Sequence, residues 1–424
     1  MIPAWNIGHF MGHIHRPGII SYRHAREQAC IVLCLVLLAA MAGLFSSCAR
    51  SGMSNPSADR KYVDTGTPAA PPENAPKLQV PGQAQSAAPS PSPDIKPDNS
   101  NTPGPSPGYS ASPDPSPIVN PYDPYTWDRM TDEARKLRDA YPELIALSSA
   151  GKSVEGRDLL VISLGTGERK ILLLGAHHAR EYITSSFLMK MVETYAEKAS
   201  GGQAFGSHDP ADLLEKVTLV VVPMVNPDGV NLVNNGLAAV SSREEVEAMT
   251  MVGSGYRAWK ANINGVDLNR QYPACWKEKH DDVGRPASQN YKGAASATEP
   301  EVRAMMDLAR SYGFVLSASF HAKGEVIYWA DSGTVNAIDG ARDIAERISE
   351  LTGYELMPVS EKPSVYGAGF ENWFRLEFSR PSFCIEMTPE NGTDLPHDDT
   401  EFDSLVWEKA KYIGLLLAEE ALKR

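Results

Sequence analysis

The sequence predicts an α/β fold built on a largely parallel sheet, and three observations carry that prediction. Short continuous apolar runs at 159–164, 171–174, 217–222 and 314–320 have the length and composition of buried strands. Between them lie segments of helical period: Ile183, Phe187, Leu188, Met191, Val192 and Tyr195 share one face, and so do Val302, Met305, Met306 and Ala309. Strands alternating with helices are the pattern of parallel α/β sheets. Finally, residues of metal-binding type come directly after two of the strand runs, at the carboxyl ends where open α/β sheets hold their ligands.

Met130, Ala134, Leu137 and Tyr141 have helical spacing, and Pro142 ends that helix. An early hairpin region containing Gly151-Lys152-Ser153-Val154-Glu155-Gly156-Arg157 leads into the strand at 159–164, the turn Gly165-Thr166-Gly167 and the strand at 171–174. Gly175 is expected to let the backbone turn out of the sheet. The strand at 217–222 is closed by Pro223 and by Asn226-Pro227-Asp228-Gly229, which reads as a turn. Residues 261–273 have too few apolar side chains for a core element. Thr298-Glu299-Pro300-Glu301 has capping-box spacing ahead of a helix. The run at 314–320 delivers His321 at its end. In the strand at 383–387, alternation puts Cys384 and Glu386 on one face, and a carboxylate amid apolar neighbours there needs an ion pair or a chemical task. Phe402, Leu405, Val406, Ala410, Ile413 and Leu417 mark a closing amphipathic helix.

Upstream the chain has a different character. Arg16, Arg23 and Arg26 stand against the single acid Glu27, and 29–45 is then a 17-residue run without a charge. Such a run is marginal for a permanent span and comfortable for an export signal. It ends in Leu44-Phe45-Ser46-Ser47-Cys48, similar to the cleavage box of bacterial lipoproteins, with Phe45 where Leu is usual. Between residues 49 and 124 fall 18 of the 32 prolines, a composition that cannot build a core. The expected layout is an export leader at 1–48, a Pro/Ser-rich disordered stalk at 49–121 and a folded domain at 122–424. The protein is expected outside the cytoplasm, lipid-anchored at Cys48, held by an uncleaved leader or secreted. A net charge of −13 over 424 residues argues against nucleic-acid partners. Cys275 and Cys384 are the two cysteines of the folded region, and no disulfide is indicated.

The chemistry begins at the stretch Ile171 to Glu181, ILLLGAHHARE. His178 and Glu181 are spaced H-x-x-E, so one turn after a strand can bring an imidazole nitrogen and a carboxylate oxygen to one metal ion. Alone, this spacing is a common exposed pair; its position at a strand end gives it weight. His177, four before Glu181, is a rival ligand. A third ligand has to come from elsewhere, and His321 repeats the strand-end logic. Arg270, in Asp267-Leu268-Asn269-Arg270, can hold a carboxylate by a planar two-point contact.

Taken together, His178-Ala179-Arg180-Glu181, Asp267-Leu268-Asn269-Arg270, His321, Tyr366 and Glu386 resemble the zinc metallocarboxypeptidase family, which includes carboxypeptidase A. The resemblance runs from about residue 122 to the end and takes in the 151–157 motif. It implies a three-layer α/β/α sandwich with a mixed, twisted sheet, one zinc held by His178, Glu181 and His321, and a water in the open fourth position. Glu386 is then the general base, Asn269 and Arg270 bind the substrate carboxylate, and Tyr366 hydrogen-bonds the peptide near the scissile bond. The cation that polarises the carbonyl matches Lys260 in Trp259-Lys260-Ala261-Asn262, with Arg257 as rival; digestive members of the family carry Arg there, and a Lys keeps the charge without the two-point geometry. Glu371 matches the floor of the pocket for the residue after the cut and favours a side chain with an amino group.

In layout the chain is most similar to bacterial γ-D-glutamyl-diaminopimelate endopeptidases, which implies peptidoglycan stem peptides as substrates; a monomer near a membrane is expected. A general metallocarboxypeptidase for carboxy-terminal basic residues is the alternative. Two further readings belong to other classes: a zinc deacylase of acylated amino acids, and a non-catalytic wall-binding lipoprotein. The Asp267–Arg270 and Tyr366 segments favour a peptide over the former, and a complete set of ligands and base speaks against the latter.

Overall fold

Four fully buried residues in succession, Ile171 to Leu174, can satisfy their backbone only inside a sheet covered on both faces, and that is where they lie. The computed structural model describes residues 117–250 and 255–424; the expected leader, Cys48 and the Pro-rich spacer up to residue 116 lie outside the described residues. One sheet has the order β1-β2-β4-β3-β5-β8-β6-β7, made of β1 (Ile145–Lys152), β2 (Asp158–Leu164), β3 (Arg169–Gly175), β4 (Val217–Val222), β5 (Leu316–His321), β6 (Val326–Tyr328), β7 (Glu355–Leu356) and β8 (Ser382–Glu386). The central run β4-β3-β5-β8 is parallel, as is β6 with β7, while β1 with β2, β2 with β4 and β6 with β8 are antiparallel. The sheet is mixed and largely parallel.

Side-chain alternation divides the core into two layers. Ile171 and Leu173 join the cluster formed with helices Trp127–Ala140, Ile183–Ser200, Ala341–Thr352 and Ile413–Leu422. Leu172 and Leu174 join the opposite one, with Pro300–Ser311 and Phe370–Phe378. Each fully buried aliphatic side chain contributes about 1.5–3 kcal/mol. The result is a helix–sheet–helix sandwich. The chain passes from β3 to β4 on one side and then returns to β5 on the other, so β3 and β5 flank the point where strand order reverses. In open α/β sheets that reversal opens a crevice at the strands' carboxyl ends.

Several local expectations are revised. Gly175 is still strand; the positive φ, 46°, falls on Ala176. Glycine is required at 175 for another reason, since a Cβ there would stand 2.7 Å from the Pro223 carbonyl oxygen. The turn read at 226–229 is a helix start: the Asn226 side chain accepts from Gly229 N, and Pro227 opens helix Pro227–Asn235. The capping box at 298–301 does not form. Glu299 is the cap position without a side-chain cap, and Glu301 turns inward to accept from Val154 N and Asn262 Nδ2. The closing helix is broken into short turns before Ile413–Leu422, one of them a π-helical turn at Asp403–Trp407, yet Phe402, Val406, Ala410, Ile413 and Leu417 all stay fully buried. The packed chain also begins upstream of residue 122: Val119 is buried, and the Ile118 and Val119 amides donate to the Glu193 carboxylate. An apolar side chain and two partnered amides tie this end down.

Candidate active site

β3 and β5 bring the predicted ligands together. After β3 the chain makes a 3-10 turn at Ala179–Glu181 that aims His178 and Glu181 the same way, and His321 is the last residue of β5. His178 Nδ1 stands 2.9 Å from Glu181 Oε1; His321 Nδ1 stands 3.1 Å from Glu181 Oε2 and 3.1 Å from His178 Nδ1. All three residues are buried. The other nitrogen of His178, Nε2, is 3.2 Å from Asp267 Oδ1. That contact leaves the Nδ1 lone pair to face the cluster, the usual arrangement of a carboxylate holding a metal-binding imidazole. Two imidazoles and one carboxylate form a zinc donor set that leaves room for further coordination. Ligand atoms on one tetrahedral zinc stand about 3.4 Å apart, so the observed spacings need only small adjustment, and the residues fit the ion.

His177 is directed elsewhere. It is fully buried, its Nε2 lies 3.0 Å from the Tyr272 hydroxyl, and its ring stacks on His321 at 5.8 Å. Burial, with His321 adding to it, lowers its pKa to about 3, so it packs as a neutral ring.

A cleft of about 470 Å³ opens from this cluster, lined by His178, Lys260, Asn269, Arg270, Tyr366, Glu371 and Glu386 among others. Glu386 is reached because β8 pairs in parallel with β5, with His321 and Glu386 as register partners. Its Oε2 is buried and has no hydrogen-bond partner. Burial holds its carboxyl well above the usual range; His321 opposes this and Glu181 reinforces it. A divalent cation among the three ligands would favour the ionised form. Cys384, two residues earlier on the strand, faces the same cleft, as alternation predicts, and both Cys275 and Cys384 are free thiols.

Glu371 sits in the first turn of Phe370–Phe378, where the helix dipole favours an anion. Burial pushes its pKa up, but His321, with Nε2 3.8 Å from Oε1, outweighs that penalty together with Ser319 and holds the carboxyl at about 2. Its Oε1 has no hydrogen-bond partner. Glu371 thus lines the cleft with one carboxylate oxygen buried and unpartnered.

Of the two rival cations, Lys260 lines the cleft, with Nζ 3.0 Å from Asp267 Oδ2. Arg257 is engaged elsewhere: it donates to Asn234 Oδ1 at 2.8 Å and to the Tyr182 hydroxyl at 3.2 Å. Asn269 Oδ1 accepts from Phe370 N and its Nδ2 faces His321, while Arg270 donates to Asp282 and Asn290. Tyr366 is at the rim, its hydroxyl 3.2 Å from Ser332 Oγ.

The residue that motif reading passed over is Asp267. Fully buried, it touches His178, Lys260 and Arg270 at once. Burial opposes its ionisation, and Lys260, His178 and Arg270 outweigh that to hold it well below the usual carboxylate range. The available signal was an acid three residues before an Arg in a loop that carries little else.

Residues 130–405 match the family model described as zinc carboxypeptidase. The γ-D-glutamyl-L-diamino acid endopeptidase 1 of Lysinibacillus sphaericus is 35% identical over 303 residues, 71% of this chain and 73% of that protein. Among solved structures, thrombin activatable fibrinolysis inhibitor superposes with a TM-score of 0.58 at 18% identity, covering 73% of this chain and 78% of that one. The carboxypeptidase A of Helicoverpa armigera gives a TM-score of 0.53 at 16% identity, covering 72% and 76%. These two likenesses concern the fold.

Proposed function

Given that the chain belongs to the zinc carboxypeptidase family, and is a zinc metallopeptidase using one zinc, we propose that it hydrolyses the γ-D-glutamyl bond to a diamino acid in cell-wall stem peptides. The observation that carries the substrate class is Glu371, a carboxylate with a buried, unpartnered oxygen in the first turn of a helix, in the wall of the cleft that opens beside His178. An ammonium-bearing side chain is its natural complement. The 35% identical endopeptidase is named for a γ-D-glutamyl-L-diamino acid bond, which supports the same reading.

His178, Glu181 and His321 would hold the zinc, which when bound supplies Lewis-acid activation of water and of the scissile carbonyl. Asp267 fixes the ring of His178. Glu386 accepts the proton of the attacking water at its free oxygen and delivers it to the leaving amine. Lys260 offers the carbonyl oxygen, as charge develops there, the ammonium protons that Asp267 leaves free. Asn269 and Arg270 take a substrate carboxylate, and Tyr366 hydrogen-bonds the peptide at the rim. The proposal includes export and a tether to the membrane through the leader or a lipid on Cys48, since the wall lies outside the cytoplasm.

The test is digestion of purified muropeptides by the zinc-loaded protein with mass-spectrometric product analysis. Release of a diaminopimelate-containing fragment from its γ-D-glutamyl partner is expected. Intact muropeptides, alongside ready removal of carboxy-terminal Lys or Arg from ordinary peptides, would replace this reading with a general carboxypeptidase, which Glu371 also suits.

A further inference from the structure

The cleft holds more positive charge than cleavage itself requires. Four cationic side chains line it: Lys260, Arg270, Lys279 and Arg375, the last paired with Asp331 at 3.0 Å. Lys260 pairs with Asp267, and Arg270 pairs with Asp267 and with Asp282. Lys279 has no ion-pair partner among the described residues; its Nζ donates to the backbone carbonyl of Val365, next to Tyr366 on the rim. Burial, followed by the repulsion of Arg270 and Lys260, brings its pKa down to about 8. At neutral pH the ammonium stays largely charged, with Asp267 and Asp282 acting on it without direct contact.

Besides the α-carboxylate of the γ-linked glutamyl residue, a diaminopimelyl substrate presents the cleft with four groups: the scissile carbonyl, the carboxylate of the reacting amino acid, a distal ammonium and a distal carboxylate. A lysyl substrate lacks only the last. Lys260 answers the carbonyl, Asn269 with Arg270 the first carboxylate, and Glu371 the ammonium. Arg270 has little more to give, because one terminal nitrogen already donates to Asp282 at 2.8 Å and the other to Asn290 at 3.0 Å. Lys279 is the unassigned cation, and the distal carboxylate is the unassigned anion of the diamino acid. Resting on the functional reading above, we propose that Lys279 is a specificity-determining residue that binds the distal carboxylate, so that the cleft prefers γ-D-glutamyl-diaminopimelate to γ-D-glutamyl-lysine.

The experiment is steady-state kinetics of the zinc-loaded wild type, Lys279→Gln and Lys279→Arg on two peptides that differ only in the distal carboxylate. The wild type should favour the diaminopimelyl peptide by roughly 10- to 100-fold in kcat/KM, the scale of one hydrogen bond to a charged group made or missed. Lys279→Gln should bring that ratio to within about threefold of one, mainly by raising KM for the diaminopimelyl peptide. Lys279→Arg should restore most of the preference. An equal loss on both peptides would give Lys279 to the shared carboxylate or to the fold, and an unchanged ratio would show that it reads no carboxylate; either overturns the proposal. A wild type that cleaves neither peptide, while trimming carboxy-terminal Lys, would instead overturn the functional reading, and this assignment with it.

Discussion

Among the buried acids of the described residues, two groups differ in how their oxygens are used. In the first, Asp228, Glu299 and Glu301 join the 153–157 turn to the loop around Asn262. Asp228 accepts from Ser153 Oγ, Arg157 and Glu155 N; Glu299 from Thr298, Asn262 and Asn264; Glu301 from Val154 N and Asn262. Every carboxylate oxygen of the three therefore has a partner. In the second group, lining the cleft, Glu371 Oε1 and Glu386 Oε2 are buried with none. Leaving such an oxygen unpaired costs about 1–3 kcal/mol, and a fold keeps that cost where a ligand or a proton is to be met. The satisfied group is scaffold; the unsatisfied one is the site.

The most direct way to break this contrast is at Glu386. Glu386→Gln keeps the volume and removes the proton acceptor, so kcat should fall by roughly 10²- to 10⁴-fold while elemental analysis still finds about one zinc per chain. A loss under about tenfold would mean that the free oxygen is not the base. Asp267 sharpens the contrast from within, because it lies in the cleft with its partners already in place. Asp267→Asn should weaken zinc binding by about 10- to 100-fold, read by competition with a chelator. Unchanged affinity would reduce its bond to His178 to packing.

The two groups were also unequally legible in the sequence. The metal end could be read because β3 and β5 are uninterrupted apolar runs, and residues just past the carboxyl end of such a run are positioned by the sheet. His178 and His321 needed no side-chain detail. Glu386 was visible as a charge within an apolar strand. The acids around Asn262 gave a weaker signal. Glu301 carries capping-box spacing, which local chemistry favours, and its inward turn is decided by Val154 and Asn262, more than a hundred and nearly forty residues away. The strands between residues 325 and 357 escaped for a related reason: β6 and β7 are three and two residues long, too short for any period to show. The choice between Lys260 and Arg257 was likewise tertiary, settled by Asn234 and Tyr182 occupying Arg257.

The smallest effect tests the scaffold group itself. Burial, with the Asp228 charge adding to it, raises the Glu301 pKa to about 7, against the restraint of its Val154 and Asn262 hydrogen bonds. A carboxyl with a raised folded-state pKa binds its proton more tightly in the native than in the unfolded chain. Its contribution is therefore fully present below the ordinary value of 4.5 and is lost as pH rises through about 7. Over that window it amounts to at most about 3 kcal/mol. Glu301→Gln removes the titration, so the decline in denaturant stability between about pH 5 and pH 8 should be shallower than in the wild type. The slope is the readout, since the amide changes the partner at Asn262 and shifts the absolute value by about 1 kcal/mol on its own. Parallel curves for the two proteins would show that Glu301 is ionised throughout, with its hydrogen bonds to Val154 and Asn262 sufficient to hold the charge. The scaffold acids would then resemble Glu371, kept anionic by their neighbours, and a partner on every oxygen would no longer be what separates the two groups.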